Sequence, residues 1–375
     1  MKRYIYNNVL KDLKKKMVFI TGPRQVGKTY LAKDIMKNFF NPVYLNYDNL
    51  DHQRIIVKRT MPPDFDIIIF DEIPKMQGWK MYLKGFFDVL NEGQSILVTG
   101  SSRLETFRQT GESLAGRYFH FRLNPLSVRE LIDIYRPEKA LKKLIELGSF
   151  PEPFLSDSIE YATRWRKQYY TDLIREDILD FSRINEIRKM QYLVQILRER
   201  VGALLSYNSI AEDLQLSVPT VKTYISILES LYIIFLVKPF HKNLSRALQK
   251  MPKIYFYDTG YVKSDEGLKL ENIVALSLLK SVQYLEDAKG RDVKLRYIRT
   301  KDGKKVDFAI EEEGQIKKLI EVKVSDNTPS KNLYYFKKIF KSAEAIQVVK
   351  NLFNEEYRGG IKIVRLANFL ANLEA

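Results

Sequence analysis

The sequence predicts an α/β fold for its first third, on two observations. Four short apolar runs, MVFIT, PVYLNY, FDIIIF and SILVT, lie between residues 17 and 99. Near-continuous apolar runs of this length are typical of parallel strands buried on both faces. The segments between the runs are long enough for the crossover helices that parallel strands require. We therefore predict an α/β core over residues 1–123.

The remaining two thirds of the chain divide into three further segments. Residues 124–199 have a helical period and lack strand-like runs. Residues 200–257 contain two short helices separated by a turn, then two strand candidates, YIIFLVKPF and KIYFYD, around a basic connector. Residues 258–375 again mix helical and strand patterns. A chain of 375 residues exceeds one ordinary core, so we predict a separate domain for each segment.

Composition excludes several classes of site. The chain has no cysteine, which excludes disulfides, thiolate zinc sites and cysteine nucleophiles, and its three histidines are far apart in sequence.

The formal net charge of +16 favours a polyanionic partner such as DNA, the alternative being a lysine-rich protein without one. No stretch reaches the ~18 apolar residues of a membrane helix, and the first residues lack a signal core. We therefore expect a cytoplasmic protein with no membrane partner.

A phosphate-binding loop follows the first predicted strand. GPRQVGKT matches the pattern G-x-x-x-x-G-K-[ST] between a strand and a helix, the context that the pattern requires. Backbone N–H groups and the helix N-terminus would bind a phosphate there. Lys28 would reach the β- and γ-phosphates of ATP, and Thr29 would hold Mg²⁺. The predicted ATP-binding residues of the loop are Gly22, Pro23, Arg24, Gln25, Val26, Gly27, Lys28 and Thr29.

Further candidates for this site lie at the ends of later strands. Asp71 and Glu72 end the run FDIIIFDEI, and an acid there lies beside the phosphate loop in such sheets. Asp71 would contact the nucleotide and Mg²⁺, and Glu72 would polarise the attacking water. Ser101 would contact the γ-phosphate or the water, with Thr99 as the competing choice. Arg117 would stabilise transition-state charge, from this subunit or a neighbouring one, unless it is a surface arginine.

A helix–turn–helix pattern covers NSIAEDLQLSVPTVKTYISILESL. Its second helix would enter the major groove of DNA with Thr220, Lys222 and Thr223 near its start. The basic connector that follows would place Lys242 and Arg246 against phosphates. The alternatives are a protein–protein module or a part of the ATPase.

Two acid-bearing strands lie near the C-terminus, in KKVDFAIEEEGQIKKLIEVK. Because side chains alternate along a strand, Asp307 lies on the face opposite Val306 and Phe308. Glu321 and Lys323 likewise share one face. A hairpin that aligns the apolar faces would bring Asp307 beside Glu321 and Lys323. The stretch is either an exposed hairpin with a solvated, salt-bridged face or a second metal site.

With these motifs the chain resembles a family of AAA-type ATPases, frequent in archaea and bacteria, with a C-terminal domain of the PD-(D/E)xK nuclease superfamily. The resemblance spans nearly the whole chain and depends on GPRQVGKT, IIIFDEI, TGSSR, ESLAGR, LNPLSVREL, GSFPEPF, NSIAEDLQLSVPTVKTYISILESLYIIF, KIYFYDTG, VDF and IEVK. It implies a P-loop AAA-type ATPase core over residues 1–123, a helical lid over 124–199, a winged helix-turn-helix domain over 200–257 and a small α/β nuclease-like domain over 258–375.

The resemblance also implies a metal site in the last domain. Glu271 lies on a helix where the nuclease family places an acid, and with Asp307 and Glu321 it would hold Mg²⁺. Lys323 would orient a water or stabilise charge. Lys305 stands where relatives often carry an acid, which is a departure from the family pattern.

These expectations combine into one main function and two alternatives. The main expectation is Mg²⁺-dependent ATP binding and hydrolysis coupled to DNA binding or handling. The alternatives are an ATP-switched, metal-dependent DNA nuclease and a non-cleaving, ATP-dependent DNA-binding regulator. A protein partner, or a homo-oligomer in which Arg117 acts on a neighbour, is the other predicted interaction.

Overall fold

The fold, taken from a computed structural model that describes residues 1–101, 114–177, 187–240 and 251–375, divides into two units. The first, called here the N-terminal unit, comprises Lys2–Asn124 with Asp287–Lys289. The second, the C-terminal unit, comprises Met1, Pro125–Glu286 and Gly290–Ala375. Apart from Met1, the range predicted for the ATPase core therefore lies in the N-terminal unit, and the three later predicted domains lie mainly in the C-terminal unit.

The N-terminal unit contains a five-stranded parallel sheet with the strand order β2-β3-β4-β1-β5. Its strands are β1 (Met17–Thr21), β2 (Pro42–Asn46), β3 (Ile67–Asp71), β4 (Ser95–Gly100) and β5 (Tyr118–Arg122). Every residue of β1, β3 and β4 is buried, whereas the edge strands β2 and β5 are partly exposed. The prediction of a parallel α/β core from the apolar runs is confirmed.

Within the described residues of this unit, four helices accompany the sheet. They are α1 (Tyr6–Leu13), α2 (Lys28–Met36), α3 (Leu50–Lys58) and α4 (Trp79–Phe87), with a 3-10 turn at Ile73–Lys75. The side chain of Asn49 caps α3 by accepting hydrogen bonds from two backbone N–H groups of its first turn. Phe86 of α4 packs on Phe70 of β3, with ring centroids 5.5 Å apart, so aromatic contacts join this helix to the sheet.

The C-terminal unit carries the other helices of the described ranges. They are α5 (Val128–Leu131), α6 (Pro137–Leu147), α7 (Pro151–Leu155), α8 (Ile159–Asp172), α9 (Ile187–Glu199), α10 (Tyr207–Leu214), α11 (Val218–Ser230), α12 (Glu266–Lys289), α13 (Lys331–Ile339) and α14 (Leu366–Ala371), with a π-helical turn at Leu173–Asp177 and a 3-10 turn at Thr259–Tyr261. The last three residues of α12 belong to the N-terminal unit. None of the helices in the described part of the chain is long and apolar enough to cross a membrane.

A mixed eight-stranded sheet runs through the C-terminal unit, in the order β12-β13-β11-β10-β9-β8-β6-β7. Its strands are β6 (Ile234–Pro239), β7 (Lys253–Phe256), β8 (Val293–Arg299), β9 (Lys305–Glu312), β10 (Gln315–Lys323), β11 (Glu344–Val349), β12 (Glu356–Arg358) and β13 (Ile361–Arg365). Strand β6 pairs with β7 in antiparallel fashion and with β8 in parallel fashion. The predicted segments 200–257 and 258–375 thus share one sheet.

The helix–turn–helix pattern corresponds to α10 and α11. The Oγ atom of Ser217 accepts a hydrogen bond from the backbone N–H of Thr220, which caps α11, and Pro219 lies in the first turn. Val221, Tyr224, Ile225 and Leu228 are the buried residues of α11. The hydrophobic core of the unit therefore orients this helix and leaves its opposite face exposed.

Candidate functional site

The phosphate loop joins β1 to α2 and depends on two of its glycines. A Cβ atom at Gly22 would overlap the carbonyl oxygen of Leu123, so only glycine permits this close approach. Gly27 precedes α2 with a φ of 97°, in the left-handed region that glycine adopts without strain. These two positions explain why the loop needs its glycines, and they place the N-terminus of α2 at the loop.

Lys28 lies buried against the phosphate loop. Its ammonium donates hydrogen bonds to the carbonyl oxygens of Gly22 (3.0 Å) and Pro23 (2.7 Å). Burial lowers the pKa of Lys28 to about 8, while the nearby carboxylates of Glu72 and Asp71 oppose this shift. The ammonium is therefore held at the start of the phosphate loop, near the carboxylates of Asp71 and Glu72.

Three hydroxyl groups hold the carboxylate of Asp71 at the end of β3. Thr29 donates to Oδ2 at 2.8 Å, Tyr44 donates to the same oxygen at 2.6 Å, and Thr99 donates to Oδ1. Thr29 and Asp71 are thus adjacent, as a shared Mg²⁺ site requires. Tyr44 was not predicted, because a tyrosine in an apolar strand carries no signal of its own. Its place becomes visible only when β2 pairs with β3.

Glu72 and Ser101 lie together beside Asp71. The Oγ atom of Ser101 is 3.2 Å from Oε2 of Glu72, and the backbone N–H of Glu72 donates to the carbonyl oxygen of Thr99 at 2.9 Å. Glu72 has a φ of 56°, a left-handed conformation that is strained for a residue with a side chain and is often found at functional sites. Ser101 and Thr99 were the two candidates for contact with the γ-phosphate or the attacking water. Ser101 contacts Glu72, and Thr99 contacts Asp71.

Arg117 lies where the strands of this sheet begin, at the end away from the phosphate loop. Its carbonyl oxygen accepts a hydrogen bond from the backbone N–H of Met17, the first residue of β1, whereas the phosphate loop follows the last residue of that strand. The first and last residues of β1 are about 13 Å apart, because four steps along a strand rise about 3.3 Å each. Its guanidinium pairs with both carboxylate oxygens of Asp88, at 2.8 and 3.2 Å. Arg117 therefore does not reach the phosphate loop of its own subunit, and a role in a neighbouring one stays a prediction.

The predicted acid-bearing hairpin forms from β9 and β10. Phe308 pairs with Ile320 in an antiparallel register, and the turn is at Glu313 and Gly314, both with positive φ. Asp307 and Glu321 are only 5% and 4% exposed. The exposed, solvated face that was one alternative for this stretch is therefore excluded, because both carboxylates are buried.

Lys253 lies between two of the predicted acidic residues. Its ammonium is 2.9 Å from Oε1 of Glu271 on α12 and 3.6 Å from Oδ1 of Asp307. The hydroxyl of Tyr255 donates to the same oxygen of Glu271 at 2.6 Å. We refer to Lys253, Tyr255, Glu271, Asp307, Glu321 and Lys323 as the carboxylate centre.

The third carboxylate of this centre, Glu321, has a different partner. Lys323 lies 3.2 Å from its Oε1, and its Oε2 is buried without a hydrogen-bond partner among the described residues. Burial and the nearby charge of Asp307 raise the pKa of Glu321 to about 7. The same two causes, in the same order, raise the pKa of Glu271. Glu321 is therefore the carboxylate whose negative charge is least compensated by contacts.

A family model described as an AAA domain matches residues 14–132, which include the phosphate loop and both acidic residues at the end of β3. The N-terminal unit is an AAA-type ATPase domain. The rest of the chain matches two models that are described as domains of unknown function, DUF8612 over residues 138–271 and DUF4143 over residues 266–369. ATP binding and hydrolysis are the activities expected of such a domain.

Proteins from archaea and bacteria are similar to this AAA-type ATPase. The uncharacterized protein MJ1544 of Methanocaldococcus jannaschii is 24% identical over 389 residues, covering 94% of this chain and 85% of the relative. The uncharacterized protein Rv2008c of Mycobacterium tuberculosis is 25% identical over 260 residues, or 68% of this chain. The match with Rv2008c spans only 58% of that relative's length.

Two solved structures are also similar to the ATPase. A Walker-type ATPase of Pyrococcus abyssi has a TM-score of 0.45 and 15% identity, and covers 70% of this chain and 94% of its own. RuvB of Thermotoga maritima has a TM-score of 0.33 and 17% identity, and covers 61% and 86% of the two chains.

The predicted DNA-contacting residues of the ATPase differ in how they are placed. Lys222 and Thr223 are exposed on α11, and the ammonium of Lys222 is 5.6 Å from the ring centroid of Tyr207. The hydroxyl of Thr220 contacts Ser217 at 2.7 Å, and that of Thr223 donates to the carbonyl oxygen of Pro219 at 3.1 Å. Both hydroxyls thus already have partners within the helix. Lys242 and Arg246 lie outside the described residues.

A divalent metal does not fit the carboxylate centre as it stands. The ammonium of Lys253 contacts both Glu271 and Asp307, so a cation already lies between two of the three predicted ligands. Across the described ranges, no group of three or more Asp, Glu, His or Cys side chains could hold a metal ion. The arrangement of Glu271, Asp307 and Glu321 thus differs from the predicted metal site, because a lysine from β7 fills it.

Proposed function

We propose that this AAA-type ATPase uses Mg²⁺-dependent hydrolysis of ATP to control binding to double-stranded DNA. The observation that carries the hydrolytic part is the contact between Ser101 and Glu72 beside the Thr29–Asp71 pair. This places a carboxylate next to the residues suited to bind the nucleotide.

Each side chain of the nucleotide site has a proposed role. Lys28 holds the phosphates with its ammonium, and Thr29 and Asp71 are the residues that would hold Mg²⁺. When bound, Mg²⁺ neutralises charge on the phosphate oxygens. Glu72 orients the attacking water and accepts its proton, while Ser101 positions the Glu72 carboxylate.

The DNA-binding part rests on the exposed face of α11 and on the net charge of the chain. Lys222 and Thr223 lie on that face, and the chain carries a formal charge of +16. Arg200 is paired with Asp213 at 2.7 Å, and Lys253 is buried, so these two positive charges do not serve DNA. Lys222, which is exposed on α11, is the described residue that we assign to phosphate contact, and we expect weak sequence preference.

The test is binding of a fluorescent duplex to the full chain, measured by anisotropy over a series of salt concentrations, with ATP, with ADP and without nucleotide. Lys222→Glu is expected to weaken binding and to reduce the salt slope by about one or more. Lys142→Glu, which changes an exposed lysine of α6, is the matched control and is expected to have a smaller effect. Salt-independent binding, or an equal effect of both substitutions, would refute the proposed DNA face.

DNA cleavage is the second candidate function, favoured by the sequence order of Asp307, Glu321 and Lys323. The position of Lys253 argues against it. Linear and branched DNA incubated with Mg²⁺ or Mn²⁺, with and without ATP, distinguishes the two on a denaturing gel. Cutting that Asp307→Asn abolishes would select the nuclease, and intact DNA under every condition supports the non-cleaving function.

A further inference from the structure

The carboxylate centre contains its own cation. Lys253 belongs to β7, its side chain is only 5% exposed, and its ammonium contacts Glu271 at 2.9 Å and Asp307 at 3.6 Å. Burial of an unpaired ammonium is strongly unfavourable, as is burial of two neighbouring carboxylates without a counter-charge. The three groups therefore stabilise one another, and the single charge of Lys253 is shared between the two acids.

Neighbouring groups adapt to this arrangement. The hydroxyl of Tyr255 donates to Oε1 of Glu271, and the backbone N–H of Val322 donates to Oδ2 of Asp307 at 3.2 Å. A Cβ atom at Gly202 would lie 2.9 Å from Oε1 of Glu271, so the absence of a side chain there leaves space for the carboxylate. Asp307 and Glu271 are thus fixed by contacts that do not require a metal.

The charges of the centre show what removal of the lysine would do. With both ammonium groups present, Lys253 and Lys323 balance two of the three carboxylates, and Glu321 keeps one buried oxygen without a partner. Without Lys253, one ammonium remains against three carboxylates. The deficit of two charges equals the charge of one divalent cation.

We propose that Lys253 is a built-in cation that takes the place of a divalent metal in this centre, and that it is the group that prevents the three carboxylates from binding one. The C-terminal unit then keeps the acidic residues predicted for a metal site but holds them in a metal-independent form. This inference is separate from ATP hydrolysis, since the nucleotide site lies in the N-terminal unit. It is also separate from the proposed DNA binding, since Lys222 lies on α11, outside the carboxylate centre.

The test is Mn²⁺ binding to the nucleotide-free full chain, measured from the electron paramagnetic resonance signal of free Mn²⁺. Wild type is expected to lack a specific site that depends on Asp307. Lys253→Met keeps a side chain of similar length without charge, and it is expected to gain one Mn²⁺ site at least tenfold tighter than any in wild type. Addition of Asp307→Asn to Lys253→Met is expected to remove the gain.

Two controls separate loss of this particular cation from general effects. Lys318→Met removes an exposed lysine of β10 that lies 3.9 Å from Glu344, and it is expected to leave Mn²⁺ binding unchanged. Lys253→Arg retains the charge, and it is expected to bind no more Mn²⁺ than wild type. A gain of binding in either control would overturn the proposal.

The proposal would be overturned if the wild-type chain binds one Mn²⁺ and Asp307→Asn loses that site. A folded Lys253→Met variant with no gain would overturn it as well. If Lys253→Met does not fold in buffer alone, refolding is repeated with Mn²⁺ and, separately, with K⁺. Rescue by Mn²⁺ alone supports the built-in cation, and failure of both ions contradicts it.

Discussion

The hydroxyl of Tyr44 lies 2.6 Å from Oδ2 of Asp71, the same oxygen that accepts the hydrogen bond of Thr29. The Asp71 carboxylate therefore accepts hydrogen bonds both from Thr29 of the phosphate-loop motif and from Tyr44 of the neighbouring strand β2. Burial and the hydrogen bond to Asp71 raise the pKa of Tyr44 well above its usual value, so the phenol remains a donor. We infer that Tyr44 positions Asp71, the acid proposed to hold Mg²⁺ together with Thr29.

Tyr44→Phe removes this donor and retains the ring. Hydrogen bonds to charged groups contribute about 1.5–3 kcal/mol, so we expect the Mg²⁺ concentration for half-maximal ATPase activity to rise about tenfold or more. Steady-state turnover over a Mg²⁺ series measures this. Tyr82→Phe is the matched control, since the Tyr82 hydroxyl has no hydrogen-bond partner among the described residues. Equal Mg²⁺ dependence in both variants would contradict a positioning role.

Lys28→Ala removes the ammonium at the phosphate loop. We expect ATP turnover to fall by at least about a hundredfold, because a preorganised positive charge on the phosphates is lost. Phosphate release measures turnover. Lys37→Ala alters an exposed lysine at the other end of the same helix, paired with Asp34, and should leave turnover near the wild-type value. Unchanged turnover in Lys28→Ala would refute the assignment of the site.

Glu72→Gln separates nucleotide binding from hydrolysis. The amide keeps the size of the side chain but cannot accept a proton, and general bases contribute about 10²–10⁴-fold to rate. We expect turnover to fall by about that factor while ATP affinity, measured with a fluorescent analogue, changes less than about threefold. Ser101→Ala should reduce turnover less, because it leaves the carboxylate in place. A parallel loss of affinity and turnover in Glu72→Gln would indicate a binding role instead.

Lys280 on α12 forms a buried ion pair with Glu130 on α5 and donates to the hydroxyl of Ser127 at 3.1 Å. Loss of one partner of such a pair leaves the other charge buried, which destabilises proteins by about 3–5 kcal/mol. We expect Lys280→Met to lower the free energy of unfolding of the C-terminal unit by this amount. The double variant with Glu130→Leu should recover much of it, since no buried charge remains.

The two tryptophans make this measurement selective. Trp79 lies in the N-terminal unit and Trp165 in the C-terminal unit. In a Trp79→Phe background, fluorescence during urea unfolding follows Trp165 and hence the C-terminal unit. If the double variant is as unstable as Lys280→Met, the unpaired charge of Glu130 is not the cause of the lost stability.

The N-terminal part of the chain was largely predictable. The apolar runs of β1, β3 and β4 are buried on both faces, and a strand of that kind needs no knowledge of its neighbours to be recognised. The phosphate loop has a local pattern, because its conformation depends on residues that are consecutive in sequence. Asp71 and Glu72 were predicted as site residues because they end a buried strand.

Other features depended on residues that are distant in sequence. Tyr44 and Asp71 are 27 positions apart, and Lys253 and Asp307 are further apart still. A lysine at the start of a short strand predicts a solvated charge, and only the packing of β7, α12 and β9 turns Lys253 into the buried partner of two acids. The partners of Thr99 and Ser101 were likewise undecided in sequence, because both residues lie near the end of β4.

Local sequence was enough to predict the parallel ATPase core, the residues of its phosphate loop and the alternation that puts Asp307 and Glu321 on one face of a hairpin. These depend on local periodicity, on backbone conformations that only glycine tolerates and on the hydrophobic effect acting along single elements. Two features became visible only once the chain was folded. Arg117 lies at the end of the sheet away from the phosphate loop, and a lysine fills the carboxylate centre. Charge compensation in a buried site depends on distances in space, which residue spacing along the chain does not encode.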